Sequence, residues 1–184
     1  PFRRAISIAY GKGSAAAVIS SPNFPDEYQQ GMASAVLLRK CFVSISKHRA
    51  DGAYFKGSDR LDVLSSPDQL FRPVDIAFGL DGAMYVSDFC SRIIGHAQNS
   101  MRDPRWDPQC GRIWRITYKG KPVVKDWPKI EGARTNELLE LLKHPQDLVR
   151  DHARRKLRHN EGIPPFLDSW LEKNQKDESI LEAL

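Results

Sequence analysis

Hydrophobic and polar positions change period once along the chain, near residue 133. Before that point apolar residues come in short runs at 5–10, 15–19, 33–38 and 41–47, the last alternating Cys41, Val43 and Ile45 against Phe42, Ser44 and Ser46. Such alternation puts one set of side chains on each face of an extended chain, which predicts strands. Gly11-Lys12-Gly13, Ser21-Pro22-Asn23 with Pro25, and Gln30-Gly31 separate the runs with turn-forming residues. Asp51-Gly52, ahead of Ala53-Tyr54-Phe55, and Asp81-Gly82, joining 74–78 to 83–87, predict two hairpins. DGAYF and DGAMY are near copies. Repeated hairpins, each too small to be stable alone, point to a sheet-repeat architecture such as a β-propeller. RIWRIT alternates once more, with Ile113 and Arg115 on one face and Arg112, Trp114 and Ile116 on the other.

Beyond residue 133 the period becomes helical. Thr135 is expected to cap a helix with Leu138, Leu139, Leu141 and Leu142 on its apolar face and Glu137 in its first turn. Pro145 is expected to start a second, in which Leu148, Val149, His152, Ala153 and Leu157 oppose Arg150, Arg154 and Arg155. Gly162-Ile163-Pro164-Pro165 reads as a break, and Asp168 as the cap of a third helix carrying Leu171, Ile180, Leu181 and Leu184. The expected organisation is therefore mainly β with a C-terminal α part. Residues 1–122 read as the last blades of a partial propeller, 123–133 as a linker, and 134–184 as the start of a HEAT-like α-solenoid opening on a helical hairpin.

Composition narrows the partners. In 184 residues, 41% hydrophobic content is enough for a real core. The net charge of +5 is split between Arg102/Arg105/Arg112/Arg115 and Arg150/Arg154/Arg155/Arg158, so no nucleic-acid partner is expected. Cys41, Cys90 and Cys110 show neither CxxC nor CxxCH spacing, which encodes no zinc site and no c-type haem. A Cys90–Cys110 bridge and free structural thiols both stay open. No run approaches the roughly 18 apolar residues of a membrane helix, so membrane association is expected only through regions outside this sequence. Both ends fall within patterns, and a piece of a longer protein is expected.

The candidate chemistry lies between residues 71 and 116. A loop of nearly twenty residues, 91–109, is long for a compact domain, and such loops are often functional. His96 could act as a base near neutral pH, Asp75, Asp88 and Asp103 could offer oxygen ligands, and Arg72 and Arg102 could clamp carboxylates. Structural alternatives stand beside these. His96 could be a satisfied structural histidine, Asp88 could cap a turn, Arg102–Asp103 and Arg105–Asp107 could be ion pairs that fold the loop, and Trp106 and Trp114 could simply pack. No metal ligand set is assigned, and hydrolase or kinase motifs are lacking.

NFPDEYQQG (23–31), FRPVDIAFGLDGAMYVSD (71–88), IIGH (93–96), RDPRWD (102–107) and GRIWRIT (111–117) occur in one order. Together they resemble the closing part of the propeller in a membrane-bound dehydrogenase family of Planctomycetes and Verrucomicrobia. In that family a glucose/sorbosone-dehydrogenase-like propeller precedes HEAT-like repeats and a haem c domain, which would lie beyond this sequence. The resemblance implies oxidation of a sugar or alcohol, a cytochrome c domain or other electron acceptor, and a periplasmic or cell-envelope location. Through more distant soluble sugar dehydrogenases it implies pyrroloquinoline quinone and calcium as cofactors. His96 is the expected catalytic residue and Arg72, Asp75, Asp88, Arg102 and Asp103 the expected cofactor-binding set, of which only Arg72 carries over from that pattern. Val74 stands where the second arginine of that pattern would be, Phe89-Cys90 replaces an aromatic pair, and Cys110 replaces a histidine. A non-catalytic glycan- or protein-binding module is the alternative expectation.

Overall fold

The computed structural model describes residues 13–38, 40–93, 100, 102–107, 109–159 and 164–175. The strand expected at 5–10 and the third-helix positions Ile180, Leu181 and Leu184 lie outside the described residues. Strands β1 (Gly13–Val18), β2 (Met32–Val36), β3 (Phe42–Asp51) and β4 (Tyr54–Ser65) form one antiparallel sheet in that order. β5 (Pro73–Phe78), β6 (Met84–Asp88) and β7 (Arg112–Ile116) form a second, also in chain order. Both Asp-Gly turns close hairpins, with Asp51 opposite Tyr54 and Phe78 opposite Met84. Gly52 and Gly82 take the positive φ values, 64° and 82°, that such turns require.

One expectation needs correcting. β3 and β4 are not short, having 10 and 12 residues. β2 pairs only with Phe42 to Ser46 of β3, and the remainder runs on against β4 alone as a two-stranded arm exposing Tyr54 and Phe55. Strand length follows pairing, which local alternation does not report.

The meander order decides where the loops go. β2, β4 and β6 run toward one end, so the described residues that follow them directly, 37–38, 66–72 and 89–93, share that end. The turns at 19–31, 52–53 and 79–83 share the other. Ser14 Oγ donates to Pro73 O (2.7 Å) and Ser21 Oγ to Gly82 O (2.5 Å), which fixes the two sheets in the same sense.

One core joins the sheets: Ile19, Ala33, Ala35, Val43 and Ile45 pack with Ile76, Met84 and Val86. The NFPDEYQQG stretch closes it from the turn end. Phe24 meets Phe78 edge-to-face with ring centroids 5.5 Å apart. Asn23, fully buried, donates to Tyr118 O (3.1 Å) and Lys121 O (2.7 Å) and accepts from Tyr118 N (2.8 Å), tying that turn to the chain leaving β7. Gly31 admits no side chain, because a Cβ there would lie 2.2 Å from Ser46 O and 2.8 Å from Tyr28 O, both backbone atoms. Gly31→Ala is expected to destabilise the chain by about 1–3 kcal/mol, through the backbone shift that overpacking forces. Denaturant unfolding with an unchanged m-value would show it.

Helices α1 (Thr135–Leu141), α2 (Asp147–Arg158) and α3 (Pro164–Lys173) follow. Leu138, Leu139 and Leu142 pack with Ala153, Leu157 and Trp170 as a second core. Three helix starts shift from expectation. Arg134 takes the cap position instead of Thr135, because the Glu137 carboxylate reaches back to the Arg134 N–H (2.7 Å). α2 begins after Pro145, since Ser20 of the β part accepts from Asp147 N (2.8 Å) and donates to Pro145 O (3.0 Å). Asp168 lies inside α3, which opens at Pro164: proline in a first turn sacrifices an N–H that has no helical partner anyway. The buried Gln146 amide bonds Gly79 O and Leu80 O at 3.3 Å each, so the helices dock on the turn end of the sheets.

Candidate functional site

The opposite, loop end is left free of the helices. There Cys41, Ser66, Asp68, Gln69, Arg72 and Arg92 line a polar pocket of about 390 Å³. The three loops that follow β2, β4 and β6 each contribute to it.

Asp88, at the end of β6, holds this end together. Its side chain is fully buried and accepts four hydrogen bonds. Oδ1 takes Arg72 N (2.8 Å) and Cys90 N (2.9 Å); Oδ2 takes Arg112 Nε (2.8 Å) and Trp114 Nε1 (3.0 Å). One carboxylate thus fixes the start of β5, the first turn of the long loop and the start of β7. Arg112 Nη1 continues to Asp68 Oδ2 at 2.6 Å. The Leu70 N–H, then the Arg112 guanidinium, hold Asp68 below the usual carboxylate range. The expectation that Asp88 caps a turn therefore holds, as part of a wider network whose oxygens are all engaged.

Arg72 makes no hydrogen bond or ion pair to an acid among the described residues, although the Asp68 carboxylate feels its charge. Nη1 donates to Phe71 O (2.7 Å) and to the free thiol of Cys41 (3.4 Å), while Nε is buried without a hydrogen-bond partner. Arg92, which sequence reasoning passed over, is exposed and has no acidic partner among the described residues. No local signal marks it; only the fold brings it to Arg72.

The loop itself is folded by its own polar groups. Arg105 grips Asp103 with Nε (2.9 Å), Nη2 (2.6 Å) and its backbone N–H (2.9 Å), so the pairs Arg102–Asp103 and Arg105–Asp107 give way to Asp103–Arg105. The Arg105 guanidinium meets the two Asp103 oxygens bidentately, the strongest geometry open to such a pair. Arg102 stays exposed, and no acidic partner pairs with it among the described residues. Cys90 and Cys110 form a disulfide with Cα atoms 5.6 Å apart, settling the open alternative. Trp106 sets its ring edge-to-face against Phe89, centroids 6.0 Å apart, and donates Nε1 to Ser100 O (3.0 Å); Phe89 is 48% exposed. Trp114 packs edge-to-face on the buried Phe71.

Arg105 draws the Asp103 carboxyl from 3.8 down to about 2. A depressed carboxylate contributes stability that is complete above the unfolded value and is lost as pH falls through the folded one, here between about pH 4 and 2. Carboxyl titration by NMR is expected to place Asp103 near pH 2, and to return it toward 3.8 in Arg105→Gln.

Two expected members stand apart. Asp75 is exposed, with its carboxylate accepting from Ile76 N (2.9 Å), and takes no part in the pocket lining. His96 lies outside the described residues.

The family described as Domain of unknown function (DUF7133) matches residues 7–120. The chain belongs to that family. The DUF7133 match spans both sheets, the pocket and the disulfide-closed loop, and stops before the helices. No match is found among curated proteins or among solved structures.

The donor set at this DUF7133 site suits an anion. Two arginines from different loops, Arg72 and Arg92, line a pocket whose one acid among the described residues, Asp68, is already bound by Arg112. The pocket does not suit a quinone with its calcium ion. Among the described residues its lining has no aromatic ring to stack a flat ring system, and no three His, Cys, Asp or Glu side chains come together as a metal-holding group.

Proposed function

We propose that this chain is part of a propeller-type, sugar- or alcohol-dehydrogenase-like protein whose ligand meets it at the loop end. In this reading the two meander sheets are neighbouring blades and the helices begin a HEAT-like solenoid. The observation that carries it is the pocket of Arg72 and Arg92, built from the loops of two consecutive sheets at one end of the fold. A rigid sheet scaffold presenting such loops is a common way to build a binding site. The order of the NFPDEYQQG, FRPVD, RDPRWD and GRIWR stretches supports the dehydrogenase class.

His96 is proposed to take the hydroxyl proton, and a cytochrome c domain or another envelope acceptor to receive the electrons. A propeller's central site draws loops from several blades, so the seat of pyrroloquinoline quinone and calcium is proposed on blades other than these. The test is dye reduction by the intact protein with pyrroloquinoline quinone, calcium and a panel of sugars and alcohols. Substrate-dependent reduction is expected, whereas neither reduction nor quinone binding would overturn the dehydrogenase reading. A non-catalytic glycan-binding module is the second reading, favoured by the half-exposed Phe89 beside Trp106.

A further inference from the structure

The loop end carries cationic groups that the fold does not use. Asp103 pairs with Arg105, and Asp68 and Asp88 share Arg112. Arg72 donates to a carbonyl and a thiol, while Arg92 and Arg102 have no acidic partner among the described residues. Cations left in this way attract an anionic ligand, and a guanidinium fork binds carboxylate or sulfate oxygens two at a time.

Beside these arginines stands an aromatic surface. The Phe89 N–H donates to Arg72 O at 2.8 Å, so its backbone lies against that of Arg72, and its half-exposed ring stands outside the pocket lining. Trp106 braces that ring edge-on, and the Cys90–Cys110 bridge, which begins one residue after Phe89, closes the segment that carries Arg92, Arg102 and Trp106. An aromatic ring offers an apolar face to the C–H side of a pyranose, and its polar surroundings bond the hydroxyl groups. A bare inorganic anion would need the arginines alone; a neutral sugar would need the rings and not the arginines.

We propose that the loop end binds an acidic saccharide, one bearing a carboxylate or a sulfate ester, with the anionic group between Arg72 and Arg92 and the sugar ring against Phe89. This names the ligand class of the loop end and rests on the reading of that end as the ligand site. It also accounts for a pocket that suits an anion and lacks the calcium ligands of a quinone site.

Isothermal titration of the intact protein would use a galacturonic acid oligosaccharide, a sulfated oligosaccharide, a neutral oligosaccharide of equal length and sodium sulfate. At least one acidic saccharide is expected to bind about tenfold or more tighter than both the neutral one and sulfate, and which one does so separates carboxylate from sulfate ester. Arg92→Gln, at an exposed position that leaves folding intact, is expected to lose about tenfold in affinity for the acidic saccharide. Phe89→Ala is expected to lose about fivefold for the saccharide and nothing for sulfate. Equal binding of acidic and neutral sugars, or an Arg92→Gln protein that binds like the parent, would overturn the inference. Acidic-saccharide binding without dye reduction overturns the dehydrogenase reading alone, and oxidation of neutral sugars unaffected by Arg92→Gln overturns this inference alone.

Discussion

Asp88→Ala is expected to destabilise the protein by about 3–5 kcal/mol, the range for removing one partner of a buried charged network. The magnitude follows from what is left behind. Arg72 N, Cys90 N and Trp114 Nε1 lose their acceptor, and Arg112 keeps only its bond to Asp68. Orphaned buried donors each cost about 1–3 kcal/mol, and water entering the space recovers part of that. Asp88→Asn keeps one acceptor oxygen and most of the shape, so it is expected to fall between the parent and alanine. Guanidinium unfolding of the three proteins gives the comparison, and an Asp88→Ala protein as stable as the parent would remove Asp88 from the centre of the loop end.

The second large effect is expected at the other end. Asn23→Ala removes three hydrogen bonds between the NFP turn and residues 118–121, from a side chain with no solvent exposure, at an expected cost of about 2–4 kcal/mol. Asn23→Asp is expected to be at least as damaging, since its oxygens would face Tyr118 O and Lys121 O, where the amide now donates. Thermal unfolding measures the total. Hydrogen exchange at the Tyr118 N–H distinguishes the cause, because that amide loses its acceptor only if the bridge is as described.

Legibility in the sequence tracked the distance over which each feature is decided. Asp51-Gly52 and Asp81-Gly82 were readable as hairpins because a tight turn between alternating runs is a local matter. The faces of β7 and the apolar stripe of α1 were readable for the same reason. The long β3–β4 arm was not, since its length is set by cross-strand pairing. The start of α2 depends on Ser20, 127 residues before Asp147, and no helix signal near Pro145 encodes it. Arg72 stood out from its motif, but its pocket neighbour Arg92 comes from the next sheet's loop and carries no motif at all. Asp103 was singled out correctly as charged, yet Arg105 consumes it, which makes it a brace of the loop in place of a free ligand. Adding the arginines by sequence would have counted Arg105 and Arg112 as available; subtracting their partners leaves Arg72, Arg92 and Arg102.

That subtraction is the basis for placing the ligand at the loop end, and amide chemical-shift mapping of the intact protein during titration with a galacturonic acid or sulfated oligosaccharide tests it most directly. Shifts concentrated at residues 40–41, 66–72, 89–93 and 102–110, with the NFP turn and the helices unmoved, are the predicted result. Shifts concentrated at residues 19–31 or along α2, with Arg72, Phe89 and Arg92 unchanged, would contradict it.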